Sequence, residues 1–174
     1  MRPLPSRKLN KKMTLVWRLS AFLNLLIWGG LAIGIFVGIW WALASNPSNF
    51  DGDNLPASVM LGLVIMALII WLVLFVVLVV IVPQIRWLQW SFEIYDEEID
   101  IHRGIFWRRR IIIPLIRVQN VDTRQGPLMR MVGLASFTVA TAAGEHEIPG
   151  LDTAEADATR DRVAVLARLA QEDV

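Results

Sequence analysis

The sequence predicts an α+β membrane protein: a two-helix transmembrane hairpin, then a small antiparallel β sandwich or barrel capped by a C-terminal helix. Three observations predict it. Asn54–Ile85 runs for 32 residues without Asp, Glu, Lys or Arg, well beyond the roughly 18 apolar residues that mark a membrane-spanning helix. Leu19–Asn46 is a second uncharged stretch. From Leu88 onward short segments alternate apolar and polar residues with a period of two, and one segment of helical period follows them, the order expected of strands closed by a terminal helix.

The first element is a basic arm, residues 1–18, with Arg2, Arg7, Lys8, Lys11, Lys12 and Arg18 and no acidic residue. Basic residues are retained on the cytoplasmic side of a membrane. The hairpin occupies 19–85, with helices at about 19–44 and 57–82 and an external loop at 45–56. Ala57–Val82 reaches about 39 Å as a helix, enough to cross the roughly 30 Å hydrocarbon core with tilt. Ala42-Leu43-Ala44 has the small-x-small form of a signal-peptidase site. The preceding apolar run is longer than a usual signal core, so it reads as a retained helix. Trp17 and the pair Trp40-Trp41 suit the two aromatic belts of a bilayer. Gly30, Gly34 and Gly38 recur at four-residue spacing on one face, a stripe that admits helix–helix packing with the second helix or with another copy. The loop carries Asp51 and Asp53 but no Lys or Arg, which suits the outer side and puts both termini in the cytoplasm.

The polar module covers 87–174. Leu88–Tyr95, Ile99–His102, Arg108–Ile113, Gln119–Thr123, Ala135–Thr141 and Glu145–Ile148 read as six strands, with a helical turn at Pro127–Met131. Turn residues punctuate them. Asp152 and Glu155 have capping-box spacing, and Ala156, Thr159, Val163, Leu166 and Ala170 form one face of the helix that follows.

Composition excludes several functions. Cysteine is absent, which removes disulfides, thiol nucleophiles and Cys-ligated metals. Residues 86–174 hold 11 basic and 14 acidic residues, the opposite of a nucleic-acid footprint. His102 and His146 are isolated in sequence, and no Gly-rich phosphate loop or nucleophile elbow occurs. The sequence therefore predicts no enzyme activity, no cofactor, no metal and no small-molecule substrate. Neither apolar run carries an ionisable residue, so two such helices suit an anchor better than a transport path.

Further motifs are Arg103-Gly104-Ile105-Phe106 and Ile113-Pro114-Leu115-Ile116-Arg117-Val118-Gln119-Asn120-Val121. Gln125-Gly126-Pro127-Leu128-Met129-Arg130-Met131-Val132-Gly133-Leu134-Ala135 and Val139-Ala140-Thr141-Ala142-Ala143-Gly144 complete them. Together with the paired helices, they resemble the bacterial pleckstrin-homology (PH) membrane-protein family of YdbS-like type over about residues 87–172. Val118 departs from the isoleucine frequent there. The resemblance implies a PH-like fold in a bacterial cell membrane, and sometimes a larger partner carrying several such domains.

The expected function is protein–protein assembly at the inner membrane face, with a larger multi-PH membrane protein or with a second copy. The alternative is sensing of anionic lipid or envelope state by the basic arm and Arg108, Arg109 and Arg110; transport by an oligomer ranks last. Arg117 and Arg130 are further candidates for contact with acidic groups, and Gln119 for a buried amide joining two backbone segments. Alternation along a strand sends Arg108 and Arg110 one way and Arg109 the other. The topology has a direct test. Ser48→Cys is expected to label in intact cells with an impermeant maleimide, and Glu172→Cys only after permeabilisation; the reverse pattern removes the hairpin as drawn.

Overall fold

The computed structural model describes residues 5–44, 57–105 and 107–172. The expected external loop, 45–56, lies outside the described residues. The chain forms two compact units, one made of the residues up to Trp17 with those from Val82 onward, the other of Arg18–Ile81.

The helical unit holds most of α1 (Lys12–Ala44), all of α2 (Ala57–Phe75) and a π-helical segment, Val76–Ile81. Lys12–Gly38 and Gly62–Gln89 are long and apolar enough to cross a membrane. Their side chains are largely uncovered by protein, with Ile27 66% and Leu68 62% exposed. A soluble core helix would bury such residues, so this surface requires an apolar solvent. Between the helices Phe22 meets Phe75 edge-on at 6.1 Å, and within α2 Trp71 stacks on Phe75 one turn away at 5.7 Å. The close approach falls at Gly29, where a Cβ would stand 3.1 Å from Trp71 Nε1; Gly30, Gly34 and Gly38 have nothing within 4 Å. Packing of the chain's own second helix therefore uses Gly29, and the glycine stripe faces open space among the described residues.

The π segment is the run Val-Val-Leu-Val-Val-Ile, β-branched except at Leu78. It precedes Pro83, which cannot donate a hydrogen bond and whose ring crowds the carbonyl of Val79 four residues back. One widened turn relieves that crowding. The helix then continues as α3 (Val82–Gln89), well past the expected end at 82, and the first strand begins at Ser91 rather than Leu88. Leu88 and Trp90 fit either period, and the helix takes Leu88.

The second unit is a sandwich of two antiparallel three-stranded sheets. One has the order β1 (Ser91–Ile94), β2 (Glu98–Arg103), β3 (Arg109–Pro114); the other β4 (Val118–Arg124), β5 (Leu134–Thr141), β6 (Gly144–Asp152). The pairs Phe92↔Ile101, Ile99↔Ile113 and Phe137↔Ile148 set the register, which turns one apolar set from each sheet inward. These six residues, with Leu115, Val118 and Val139, form the core. A 3-10 turn, Leu115–Arg117, joins the sheets, and a short helix α4 (Pro127–Met131) precedes β5. The last helix, α5 (Thr153–Glu172), buries Ala156, Val163 and Ala167 against β4, β5 and the 3-10 turn. Ala167 joins the expected face; Leu166 and Ala170 sit at its half-buried margin.

The basic arm is part of this sandwich. Arg7 forms an antiparallel bridge with Phe92, whose N–H donates to the Arg7 carbonyl at 3.0 Å. Trp87 Nε1–H donates to the Leu9 carbonyl at 2.8 Å, and the Asn10 N–H to the Gly150 carbonyl at 3.0 Å. Gly150 has φ +71°, and a Cβ there would meet the Met13 side chain at 2.8 Å; glycine serves both the turn and the seat. Leu9 is 2% exposed and joins the main core, while Met13 and Val16 pack with Leu134. Leu9→Ala is therefore expected to destabilise the sandwich by about 2–5 kcal/mol, the range for a buried leucine cut to alanine. Thermal unfolding of the detergent-solubilised full chain, followed by tryptophan fluorescence, checks this, with exposed Lys12→Ala as the near-neutral comparison.

Candidate functional site

Arginine side chains are the chemistry this sandwich has to offer, and their partners divide them. Asp100 on β2 is 2% exposed. A buried carboxylate requires a charged, hydrogen-bonded partner. Arg110, diagonally across on β3, supplies it, with Nε 3.0 Å and Nη2 2.6 Å from Oδ2. Hydrogen bonding to Asp100 raises the Arg110 pKa above its ordinary value, so the guanidinium remains charged. Arg110 is thus a structural residue.

Arg109 pairs with Arg103 across the β2–β3 ladder. Its side chain lines a cleft of about 380 Å³ with Arg86, Arg103, Trp90 and Trp107. Arg108 precedes the strand and is exposed. Arg117, in the 3-10 turn, lines a second cleft of about 490 Å³ with Ile112, Ile116, Gln119 and His146. Arg130 ends α4, exposed. The five expected arginines therefore occupy separate places and do not make one patch.

One polar expectation changes. Gln119 is exposed rather than buried. The amide that ties backbone segments is Gln125, whose Nε2 donates to the Leu134 carbonyl at 2.9 Å and to Thr153 Oγ1 at 3.1 Å. Thr153 Oγ1 in turn donates to the Gly133 carbonyl, joining the starts of β5 and α5. His146, isolated in sequence, is half-buried on β6, and its Nδ1 is buried without a hydrogen-bond partner. Among the described residues no group of three His, Asp or Glu side chains is placed to hold a metal.

The basic arm is also partly committed. Arg7 forms an ion pair with Glu155, Lys8 Nζ donates to the Leu88 carbonyl at 2.7 Å, and Lys11 lies over the Trp87 ring. Sequence reasoning missed the cleft that gathers Arg86 and Arg103 with Arg109. Its only sequence signal was an arginine four residues beyond the apolar run at Val82.

Against known proteins, the family model for the bacterial PH domain matches residues 54–167. The chain belongs to the bacterial PH domain family. The match starts at the second apolar helix, so the family pattern takes in that segment as well as the sandwich. The chain is 46% identical over 105 residues to the UPF0699 transmembrane protein YdbS of Bacillus subtilis (strain 168), covering 60% of this chain and 66% of that protein. It is 28% identical over 89 residues to the UPF0699 transmembrane protein YdbT of the same organism, covering 50% of this chain and 18% of YdbT. The chain thus spans just under two thirds of YdbS and a small part of YdbT. No solved structure matches. As a bacterial PH domain protein with two candidate spans and a transmembrane relative, this chain is a membrane protein.

The arginine assignments make a graded prediction. Arg110→Gln is expected to lower the unfolding temperature of the solubilised chain, because Asp100 keeps its burial and loses its partner. Arg108→Gln, with no partner to lose, is expected to leave it unchanged.

Proposed function

We propose that this chain is a membrane-anchored PH module that assembles with another protein at the cytoplasmic face of the bacterial cell membrane. The observation that carries the reading is the free outer edge of β3. In the sheet order β1-β2-β3 the far edge is closed at Arg7 by the basic arm, whereas among the described residues β3 has no strand beyond it. An edge strand presents a row of unpaired N–H and C=O groups, and an extended segment of a partner adds to it as a new strand. Ile112 is 48% exposed on that strand, beside the cleft that holds Arg117 and Gln119. Neither of these two side chains has a hydrogen bond or ion pair among the described residues. The occupant that fits is an extended, acidic–apolar segment of a membrane-protein partner. Its apolar side chains would cover Ile112 and Ile116, and its carboxylate would meet Arg117.

The arm supports the side of the membrane in this reading. The arm enters α1, the sandwich follows α3, and both belong to one folded unit. A chain with both ends in one unit crosses an even number of times, and the basic arm favours the cytoplasmic side. The match to a small part of YdbT supports the reading that such modules work within larger membrane proteins. The competing reading, headgroup sensing by the arm with Arg108–Arg110, is weakened because Arg7, Lys8 and Arg110 are engaged inside the protein.

Site-directed photo-cross-linking tests the assembly. With a benzophenone amino acid at Ile112 in the full chain in cell membranes, a discrete protein adduct is expected, lost on Arg117→Glu. The same probe at exposed Met131 is expected to give none. No adduct at 112, or one indifferent to Arg117→Glu, removes the β3 edge as the docking strand.

A further inference from the structure

Arg86, Arg103 and Arg109 converge on one cleft of about 380 Å³. None of the three has a hydrogen bond or ion pair to a carboxylate among the described residues. Five other arginines of the sandwich are paired: Arg7 with Glu155, Arg110 with Asp100, Arg124 with Glu145, Arg160 with Asp157, Arg162 with Asp96. Glu147 acts on Arg86 electrostatically, without an ion pair.

The geometry of the three is fixed by backbone and aromatic groups. Arg103 and Arg109 are direct partners across the antiparallel ladder, an arrangement of like charges that destabilises a sheet. The turn between them is tight. Gly104 has φ +131°, and a Cβ there would fall 1.9 Å from the Trp107 carbonyl oxygen, so a side chain at this position would break the turn that sets the pair. Arg86, in the last turn of α3, has its guanidinium carbon 4.4 Å from the centre of the Trp17 ring. That contact holds the group by a cation–π attraction and leaves its N–H donors for a ligand. Trp90 is buried in the cleft wall, and Trp107 is 71% exposed at its rim.

We infer that this cleft is an anion site that binds a phosphate group, with Arg86, Arg103 and Arg109 as its donors. Planar guanidiniums match phosphate oxygens in a bidentate manner, and one phosphate between Arg103 and Arg109 offsets their repulsion. The height of the site favours a headgroup as the source. Arg86 follows the end of the apolar run by four residues, and an exposed tryptophan such as Trp107 suits the membrane interface. A soluble phosphate ester offers the same chemistry without the chain anchor. The site is separate from the β3 edge and stands or falls independently of the assembly proposed above.

The test uses the full chain in detergent, with added phosphatidic acid, phosphatidylcholine or inorganic phosphate, read by native mass spectrometry. Phosphatidic acid is expected to be retained over phosphatidylcholine. Arg103→Gln/Arg109→Gln is expected to cut that retention by about tenfold, given the usual weight of basic residues at a membrane surface. Arg86→Gln alone is a second, milder variant should the double variant unfold, and Arg108→Gln is expected to retain the lipid fully. Retention of inorganic phosphate without lipid, lost in the same variants, supports the site with a soluble source. Equal retention of both lipids, or retention unchanged in a folded variant, overturns it.

Discussion

The arm's grip on the sandwich is the constraint from which the rest follows. Residues 5–17 close one edge of a sheet at Phe92, bury Leu9 in the core and seat Met13 on Gly150. In the proposed topology the chain would return to the side it left, each apolar helix making one crossing between those fixed ends. The same grip decides which sheet edge is available. With β1 closed by the arm, β3 is left as the free edge of its sheet among the described residues, next to the cleft that holds Arg117. Trp87 ties the arm to the end of the second apolar helix, because its indole N–H reaches back to Leu9 while α3 is still helical.

Charge is distributed by the same logic. A sandwich this small buries few ions, and where it buries Asp100 it commits Arg110 beside it. Surface arginines on α5 and β4 are matched locally by Asp157, Asp161 and Glu145. Of the arginines without an ion pair, four line clefts, with Arg117 in one and Arg86, Arg103 and Arg109 in the other. A run of three consecutive arginines, Arg108–Arg110, thus serves three different ends: one solvated, one lining a cleft, one in an ion pair.

Much of the fold was legible in the sequence because it rests on periodicity. The uncharged run before Arg86 and the alternation through Ile99, Ile101 and Ile113 each have a single physical solution. Boundaries were less legible where residues satisfy two patterns, as Leu88 and Trp90 do, and a π turn ahead of Pro83 leaves no mark that period counting detects. The site was legible only in its residue types. Gln119 and Gln125 are the same amide in neighbouring strand and loop positions, and the long-range contacts to Leu134 and Thr153 decide which one is tied down. The arm read as a topology signal because its partners lie some 80 to 150 residues away in the chain, as in the pairs Lys8–Leu88 and Arg7–Glu155. No local pattern records contacts of that span.

That span bears on the order of events in biogenesis. The arm precedes both helices in translation, yet its seats at Phe92, Gly150 and Glu155 follow both. Until those later residues emerge, Leu9 and Met13 have nothing to cover them. Domains generally fold as they are synthesised, and contacts of long sequence separation form late. In the proposed topology the hairpin would enter the bilayer while its leading segment is still unfolded, and the sandwich would be completed afterwards by recruiting that segment. In the proposed topology the final docking step would act as a checkpoint on insertion: a chain in which only one helix crossed would leave the arm and its seat on opposite faces, with a sheet edge open and an apolar core unsealed.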